Sequence, residues 1–359
     1  MTLDIPMHAE AQAGDARLLL IRDWLSGELG WPRDCRLEPA SMDASFRRYF
    51  RAWRPDGDTR VIMDAPPDRE DTGPYLHVTR LLQSCAVHVP EVEAADTRRG
   101  LLLLEDLGST HMLAQLGSGG DADELYGQAL DSLARIQLRG LAAARELPPY
   151  GAAALEREMR LLPEWFCARH LQLVLTAEEQ ALLAETFGLL VREALAQPVV
   201  FVHRDYHSRN LMITAARSPG IIDFQDAVAG PVGYDLVSLL RDCYISWPRE
   251  RVEGWLAGYR EQLRAGGAGA GVGAELAEFR RWFDLAGLQR HLKVLGIFAR
   301  LWYRDGKPAY LADLPLTLEY VRATAARYAE LSRFSAWVER ALVPALPAAN
   351  ARARSGVNA

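Results

Sequence analysis

The sequence has few cysteines, no long apolar run and no strong excess of charge of one sign, and each absence excludes a class of protein. Its four cysteines are scattered, which argues against a disulfide framework and against a structural zinc site. They are Cys35, Cys85, Cys167 and Cys243. No apolar stretch approaches the ~20 residues of a membrane helix. A net charge of -6 does not indicate a nucleic-acid binder.

The N-terminal residues also lack the basic segment and following apolar stretch of a signal peptide. Hydrophobic residues make up 49% of the chain and charged residues 25%, which is ordinary for a soluble globular protein. We therefore expect a cytoplasmic protein that acts as a monomer, without a membrane or nucleic-acid partner.

The pattern of apolar residues divides the chain into a β-rich first part and a helix-rich second part. After a flexible leader over 1–15, residues 16–106 show one clear helical pattern, a β-hairpin and further strand candidates. Residues 107–346 are mostly helical, apart from a short β-rich insert, and the Ala- and Arg-rich tail over 347–359 is expected to be disordered. The sequence predicts an α+β fold with a small β-rich N-lobe and a larger α-helical C-lobe.

The most informative segment is the H-R-D-Y-H-S-R-N stretch that begins at His203. Asn210 follows Asp205 by five residues, and Asp223, which precedes a Phe, follows Asn210 by thirteen. This is the spacing of a kinase catalytic loop and its metal-binding Asp. The alternative is that these polar residues only satisfy a turn and that Asp223 is a surface carboxylate. Asp235 starts a later helix, where it could interact with the helix dipole, buttress the loop, or do both.

The spacing has a chemical reason. Phosphoryl transfer needs an aligned nucleophile and neutralised charge on the phosphate oxygens. Asp205 would face the attacking hydroxyl, while the oxygens of Asn210 and Asp223 suit magnesium, which prefers oxygen ligands. A predicted hairpin between Asn210 and Asp223 would bring these two residues together.

At these residues the chain resembles the aminoglycoside phosphotransferase-like branch of the protein-kinase fold, through H-R-D-Y-H-S-R-N, D-F-Q-D and G-P-x-x-Y-D-L. The resemblance covers residues 16–340 and implies a two-lobed protein-kinase-like fold. Segments 41–51, 61–71 and 287–301 are also similar to a bacterial family of anomeric kinases that act on N-acetylmuramate and N-acetylglucosamine. This implies an amino-sugar substrate, ATP and magnesium as cofactors, and sugar 1-phosphates made for peptidoglycan recycling and UDP-N-acetylmuramate synthesis.

The resemblance also implies roles for individual residues. Asp205 would be the catalytic base or orienting group, with Asn210 and Asp223 as magnesium ligands. The ATP-binding residues would come from the turn that covers the phosphates, from the hinge between lobes and from the catalytic loop. They are Ser45, Phe46, Arg47, Arg48, Glu105, Leu107 and His207. For His207, a purely local hydrogen bond is an equal alternative.

Two departures from the wider kinase pattern concern the ATP phosphates. The phosphate-covering turn has no glycine, and Met63 or a neighbour occupies the strand position where a phosphate-binding Lys is expected. Arg47 and Arg48 are the nearest replacements, since Arg binds phosphate bidentately. Neighbouring strand residues point to opposite faces, so we expect only one of them to serve. Both could instead be solvated, and a non-catalytic nucleotide-binding protein stays an alternative.

The substrate pocket should face Asp205 from the helical lobe. The candidate substrate-binding residues are Arg209, Asp226, Gln289, Arg290 and Lys293. A cationic helix face near the pocket would match the lactyl carboxylate of N-acetylmuramate, although such a face could simply be solvated. An aminoglycoside-type or other small-molecule phosphotransferase is the alternative enzyme. A pocket for polycations should be acidic, so the basic helix argues against an aminoglycoside substrate.

Overall fold

The computed structural model describes residues 16–42, 46–267 and 275–355, so the predicted leader and Ser45 lie outside the described residues. The chain divides into two compact units. Unit 1 comprises Met1–Gln83, His88–Thr110 and Met212–Gln225. Unit 2 comprises Ser84–Val87, His111–Leu211 and Asp226–Ala359. The expected boundary after residue 106 lies close to the end of a unit 1 segment, but Met212–Gln225, expected in the C-lobe, belongs to unit 1.

Unit 1 is built on an antiparallel sheet of five strands in the order β1-β2-β3-β5-β4. The strands are β1 Leu37–Met42, β2 Arg48–Trp53, β3 Thr59–Asp64, β4 Val92–Asp96 and β5 Leu101–Glu105. Two helices accompany the sheet, α1 Ala16–Gly27 and α2 Gly73–Ser84. The predicted hairpin is confirmed as β2 and β3, which pair from Arg48 opposite Asp64 to Trp53 opposite Thr59.

The two faces of this sheet differ in what covers them. One face packs its apolar side chains against α1, in a buried cluster with Ile21, Trp24 and Leu25. The strand residues in that cluster are Phe50, Ala52, Ile62, Leu101 and Leu103. Because side chains alternate along a strand, Tyr49 and its cross-strand partner Met63 point to the opposite face.

Unit 2 is mainly helical. Its helices are α3 Met112–Gly117, α4 Ala122–Arg139, α5 Ala152–Met159, α6 Ala177–Leu195, α7 Gly233–Leu240, α8 Arg249–Ala265, α9 Leu276–Tyr303, α10 Leu314–Ala325, α11 Ser332–Trp337 and α12 Leu346–Arg354. Strands β6 Val199–Val202 and β9 Val228–Pro231 of unit 2 pair antiparallel. Strand β7 Leu211–Met212 leads into the unit 1 segment Met212–Gln225 and pairs there with β8 Gly220–Ile221 as the predicted hairpin. Within the described residues no helix has both the length and the apolarity required to cross a membrane.

The long helix α9 is the core element of unit 2. Side chains all around its middle are buried, from Trp282 to Gly296. Gly296 has a packing role, because a Cβ there would lie 2.4 Å from the carbonyl carbon of Leu161. No real Cβ tolerates that distance, so the glycine allows the segment at Leu161 to approach the backbone of α9.

One expectation about the C-terminal part of the chain is wrong. The tail expected to be disordered over 347–359 forms α12 as far as Arg354, and Ala349 and Ala353 are buried. Its Ala-rich sequence favours a helix once a packing surface is available, and the Asn350 amide oxygen lies 2.8 Å from Nε2 of His170. After α5, which ends at Met159, a wider π-helical segment spans Leu162–His170.

Candidate active site

The loop that carries Asp205 is held in a strained conformation by a buried carboxylate. Arg204 has φ +79°, in the left-handed region that is unfavourable for a residue with a Cβ. Asp235, which is fully buried at the start of α7, accepts hydrogen bonds from the backbone N–H groups of His203 (2.6 Å) and Arg204 (3.0 Å). These bonds hold the strained loop, so the expected buttressing role of Asp235 is the one the contacts support.

Asp205 lies among positive charges. Its side chain is 42% exposed, and its Oδ1 lies 3.8 Å from Nη2 of Arg290. Burial alone would raise the pKa of Asp205, but Lys293 and Arg290, with smaller contributions from His207 and Arg204, outweigh it and lower the pKa to about 2. Asp205 is therefore a carboxylate throughout the neutral range.

The loop after Asp205 is fixed by two further hydrogen-bonding arrangements. Asn210 donates its amide nitrogen to the backbone carbonyl of Asp205 at 3.0 Å, which sets the direction of the amide oxygen. Ser208 donates both its backbone N–H, at 3.0 Å, and its hydroxyl to the Asp242 carboxylate. The segment from Asp205 to Asn210 is thus anchored at each end and in the middle.

A buried cluster beside this loop centres on Glu158, which the sequence did not predict. Glu158 accepts from Arg204 at 2.5 Å, pairs with Lys293 at 3.2 Å and accepts a hydrogen bond from the Tyr150 hydroxyl. Lys293 also donates to the Tyr234 hydroxyl at 3.2 Å. Burial opposes the charge on Glu158, but the two cations outweigh it and lower its pKa. The cluster fixes the Lys293 ammonium in place.

The three candidate residues on α9 are buried rather than solvated. Gln289 is 1% exposed, Arg290 5% and Lys293 6%, so the alternative of a solvated basic face is wrong. Both amide atoms of Gln289, and Nε of Arg290, are buried without a hydrogen-bond partner among the described residues. Unsatisfied buried polar atoms cost roughly 1–3 kcal/mol each, which makes them candidates for contact with a ligand.

The remaining unit 2 candidates have different surroundings. The guanidinium of Arg209 lies 3.5 Å from the ring centroid of Tyr244, and His207 contacts the same ring edge-on. Burial lowers the pKa of His207, so its imidazole is neutral at neutral pH and does not supply the positive charge of a Lys at this position. Asp226 is exposed, and its backbone carbonyl accepts from Arg204 at 3.4 Å.

The predicted metal-binding residue in unit 1 is Asp223. It follows β8 and has φ +63°, a second left-handed residue in the predicted catalytic motif. Gln225 donates its amide nitrogen to Oδ1 of Asp223 at 2.9 Å. The ring of the next residue, Phe224, packs on Tyr75 with centroids 4.9 Å apart. The carboxylate is thus oriented by one polar neighbour and supported by an aromatic pair.

The predicted hinge residues lie at the end of β5, of which Glu105 is the last residue, and just after it. Glu105 contacts Nε2 of His88 at 3.1 Å, which ties its side chain into unit 1. Leu107 is buried and packs against Gly220, where an added Cβ would lie 2.7 Å from its Cδ1. Between them, Asp106 accepts from Arg51 and from the backbone of Gly108. The segment is rigidly held, and its adenine-binding role stays a prediction.

Arg47 and Arg48 have separate partners, as expected for neighbouring residues at the start of a strand. Arg48 donates to the buried Asp64 at 2.6 and 3.0 Å. Nε of Arg47 lies 3.9 Å from Glu70, which also accepts the backbone N–H of Phe46 at 3.1 Å. The Phe46 side chain is 56% exposed. Neither arginine is solely a solvated charge.

Comparison with known proteins assigns the chain to a class of enzyme. Residues 36–279 match a family described as the phosphotransferase enzyme family. Because the match covers well over half of the chain, the protein belongs to this family and is a phosphotransferase. The catalytic-loop spacing had predicted that class.

Similar sequences narrow the comparison. The chain is 46% identical over 327 residues to an N-acetylmuramate/N-acetylglucosamine kinase of Pseudomonas putida, covering 89% of this chain and 94% of that one. It is also 46% identical over 322 residues to an enzyme of the same name from Neisseria meningitidis, covering 88% and 93%.

Solved structures confirm the predicted two-lobed protein-kinase-like fold. An ethanolamine kinase from Plasmodium vivax superposes with a TM-score of 0.60 at 12% identity, covering 84% of this chain and 87% of that one. The choline kinase LicA from Streptococcus pneumoniae superposes with a TM-score of 0.58 at 12% identity, covering 86% and 98%. At these identities the likeness shows the fold alone.

Proposed function

We propose that the protein transfers the terminal phosphoryl group of ATP to the anomeric hydroxyl of N-acetylmuramate and N-acetylglucosamine. The products would be sugar 1-phosphates for peptidoglycan recycling and UDP-N-acetylmuramate synthesis. The observation that carries the proposal is the 46% identity, across 89% of the chain, to an enzyme named for these two sugars. The ionised Asp205 on its fixed loop supplies the chemistry that such an enzyme needs.

Asp205 is proposed to orient the sugar hydroxyl and to accept its proton. A carboxylate with a pKa of about 2 is a weak base, so it suits a reaction in which the proton leaves late. The loose transition state of phosphoryl transfer makes little demand for early deprotonation. An anomeric hydroxyl is also more acidic than an ordinary alcohol, which reduces the proton affinity required of the base.

Asn210 and Asp223 are proposed as magnesium ligands. Their oxygens suit a hard cation, and each side chain is oriented by a neighbour, since Asn210 donates to the carbonyl of Asp205 and Asp223 accepts from Gln225. When bound, the ion would neutralise charge that develops on the phosphate oxygens. Both residues remain proposals for this role.

The sugar is proposed to contact the buried polar groups on α9. The ion pairs of this region involve three cations, Arg204, Arg290 and Lys293, and two carboxylates, Glu158 and Asp205. The two cations on α9, Arg290 and Lys293, would suit an acceptor with a carboxylate, such as the lactyl group of N-acetylmuramate, better than a polycation. The unpartnered amide of Gln289 could bind the N-acetyl group.

Arg209 and Asp226 are proposed as further substrate-binding residues. Arg209 is held against Tyr244 and keeps its charge available to an anionic group. Asp226 is exposed and could accept a sugar hydroxyl.

Lys293 should control the acid side of the pH–rate profile. In the wild type, protonation of Asp205 should not reduce kcat/KM until the pH falls toward about 2. Lys293→Met removes a positive charge that favours the carboxylate, so the pKa of Asp205 rises and the acid limb moves up, toward the ordinary value of about 3.9. The measurement is kcat/KM for a neutral acceptor sugar as a function of pH.

The matched control is Lys307→Met, which removes the other lysine of the chain and should leave the acid limb in place. An acid limb that stays unchanged in Lys293→Met would show that Lys293 does not set the charge state of Asp205.

The proposed function is tested by ADP release with ATP and magnesium on four acceptors: N-acetylmuramate, N-acetylglucosamine, glucose and kanamycin. We expect turnover on the two N-acetyl sugars and none on kanamycin, because the proposed sugar contacts on α9 include the cations Arg290 and Lys293. Turnover on kanamycin alone would indicate an aminoglycoside-type enzyme. No turnover on any acceptor, with ATP still bound, would favour the non-catalytic alternative.

A further inference from the structure

Unit 1 has no lysine to bind the phosphates of a nucleotide. The whole chain contains two lysines, Lys293 and Lys307, and both belong to unit 2. Protein kinases place a lysine on the third strand of the small lobe and pair it with a glutamate from a neighbouring helix. A positive charge in unit 1 that serves this purpose must therefore come from an arginine.

Sheet register identifies which arginine shares the face of the missing lysine. Met63 is 1% exposed on β3, and its cross-strand partner is Tyr49 on β2. Tyr49 and Met63 point away from α1, because Phe50 and Ile62 next to them point toward it. Arg47 precedes Tyr49 by two residues and therefore extends from the same face as Met63.

Glu70 supplies the acidic partner. Its Oε2 lies 3.9 Å from Nε of Arg47, and its Oε1 accepts the backbone N–H of Phe46 at 3.1 Å. The side chains are mostly buried, with Arg47 11% and Glu70 20% exposed. Glu70 lies just before α2, which begins at Gly73. An arginine and a glutamate from neighbouring elements thus form the ion pair that a lysine and a glutamate form in other kinases.

Tyr75 places this pair on the side of unit 1 that holds Asp223. Its ring packs against Phe224, the residue that follows Asp223. Tyr75 lies in the first turn of α2, five residues after Glu70. Through Tyr75, the segment that carries Glu70 therefore contacts the residue next to the predicted metal-binding carboxylate.

The neighbouring arginines are bound elsewhere. Arg48 points toward α1, where it shares the Asp64 carboxylate with Arg17. Arg51 shares the face of Arg47 but donates to Asp106 and to the carbonyl of Gly108, at 2.9 Å in each case.

We propose that Arg47 binds the phosphates of ATP in place of the missing lysine and that Glu70 is the positioning residue that holds it. The proposal rests on the proposed ATP-dependent function. The sequence offered Arg47 and Arg48 as alternatives for the phosphate contact. The proposal assigns that contact to Arg47 and assigns Arg48 to the packing of α1 on the sheet.

Arg47→Met should weaken binding of ATP and of ADP roughly 10- to 100-fold, the usual loss for a charge-assisted contact, while adenosine affinity stays unchanged. Isothermal titration with each nucleotide, without any sugar, measures this directly. Arg47→Lys should recover most of the lost affinity. The control is Arg54→Met, since Arg54 pairs with Glu93 at 2.7 Å on the surface and should not affect nucleotide binding.

A position swap makes the test specific. Met63→Lys should not raise the activity of the wild type, because Arg47 already supplies the charge. In the Arg47→Met background it should restore much of the ATP affinity, because both positions extend from one face. Glu70→Gln should weaken ATP binding in the wild type but add little in the Arg47→Met background, since a positioning residue acts only through its partner.

The proposal is overturned if Arg47→Met leaves ATP and ADP affinity unchanged, if it weakens adenosine as much as ATP, or if Arg48→Met alone produces the phosphate-specific loss. These readouts do not involve an acceptor. If the enzyme failed to act on N-acetyl sugars, the proposed substrate would be contradicted. The nucleotide affinities of the Arg47 variants would still test the proposed phosphate contact.

Discussion

Asp205→Asn should lower kcat by roughly 10²- to 10⁴-fold, the range that a positioned acid or base contributes. The amide has nearly the same shape as the carboxylate, but it cannot accept the proton of the attacking hydroxyl. Binding of ATP should survive, because the phosphate contacts are proposed to come from other residues. The measurements are kcat from ADP release and the Kd for ATP from calorimetry.

The control is Asp131→Asn, which makes the same chemical change at an exposed carboxylate of α4 that accepts from Gln262. It should leave both kcat and Kd unchanged. If Asp205→Asn reduced ATP affinity as strongly as kcat, Asp205 would be acting on the structure of the loop, and its assignment as the catalytic carboxylate would be contradicted.

Asp64→Asn should destabilise the protein by about 1.5–3 kcal/mol, the contribution of hydrogen bonds to a charged group, because Arg17 and Arg48 are 25% and 36% exposed and water can partly solvate them. Asp64 is fully buried and accepts from Arg17 on α1 and from Arg48 on β2. Its replacement would leave two guanidinium groups beside a neutral amide. The free energy of unfolding, measured by urea denaturation, checks this prediction.

Asp68→Asn is the matched control, because Asp68 is 77% exposed and lies 3.8 Å from Arg69. It should change stability by no more than about 0.5 kcal/mol, as for most surface substitutions. If Asp64→Asn cost no more than this control, the positions of Arg17 and Arg48 would not depend on Asp64, and other contacts of α1, such as the hydrogen bond from Arg17 to the Arg99 carbonyl, would hold it.

The predictions that the structure or the comparisons confirm rest on local sequence. The spacing from Asp205 to Asn210 and on to Asp223 requires a loop followed by a hairpin, and β7 and β8 form that hairpin. The alternation of β2 and β3 predicted their pairing. It also implied that Arg47 and Arg48 would have different surroundings. Such features depend on residues that are close together in the chain, because the local backbone geometry determines how those residues pair and which way their side chains point.

The features that the sequence did not reveal depend on packing between distant segments. Arg290 and Lys293 resemble an exposed basic face, and only the surrounding helices show that they are buried. Glu158 lies on the apolar side of a helical pattern in the sequence. Only the folded structure shows that it forms ion pairs with Arg204 and Lys293. An acidic residue on the apolar side of a short helix is the one signal that could have identified it.

The tail shows the same limit for secondary structure. Its composition is compatible with both a disordered segment and a helix. One contact of the helix joins Asn350 to His170, which lies far away in the sequence. Composition alone could not decide between these outcomes.

The central claim is most directly tested by NMR spectroscopy of the product formed from N-acetylmuramate, ATP and magnesium. We predict a phosphorus signal coupled to the anomeric carbon and proton, from a phosphate that mild acid releases. A phosphorus signal coupled to any other carbon of the sugar would contradict the anomeric assignment, and the absence of a phosphorylated sugar would contradict the proposed function itself.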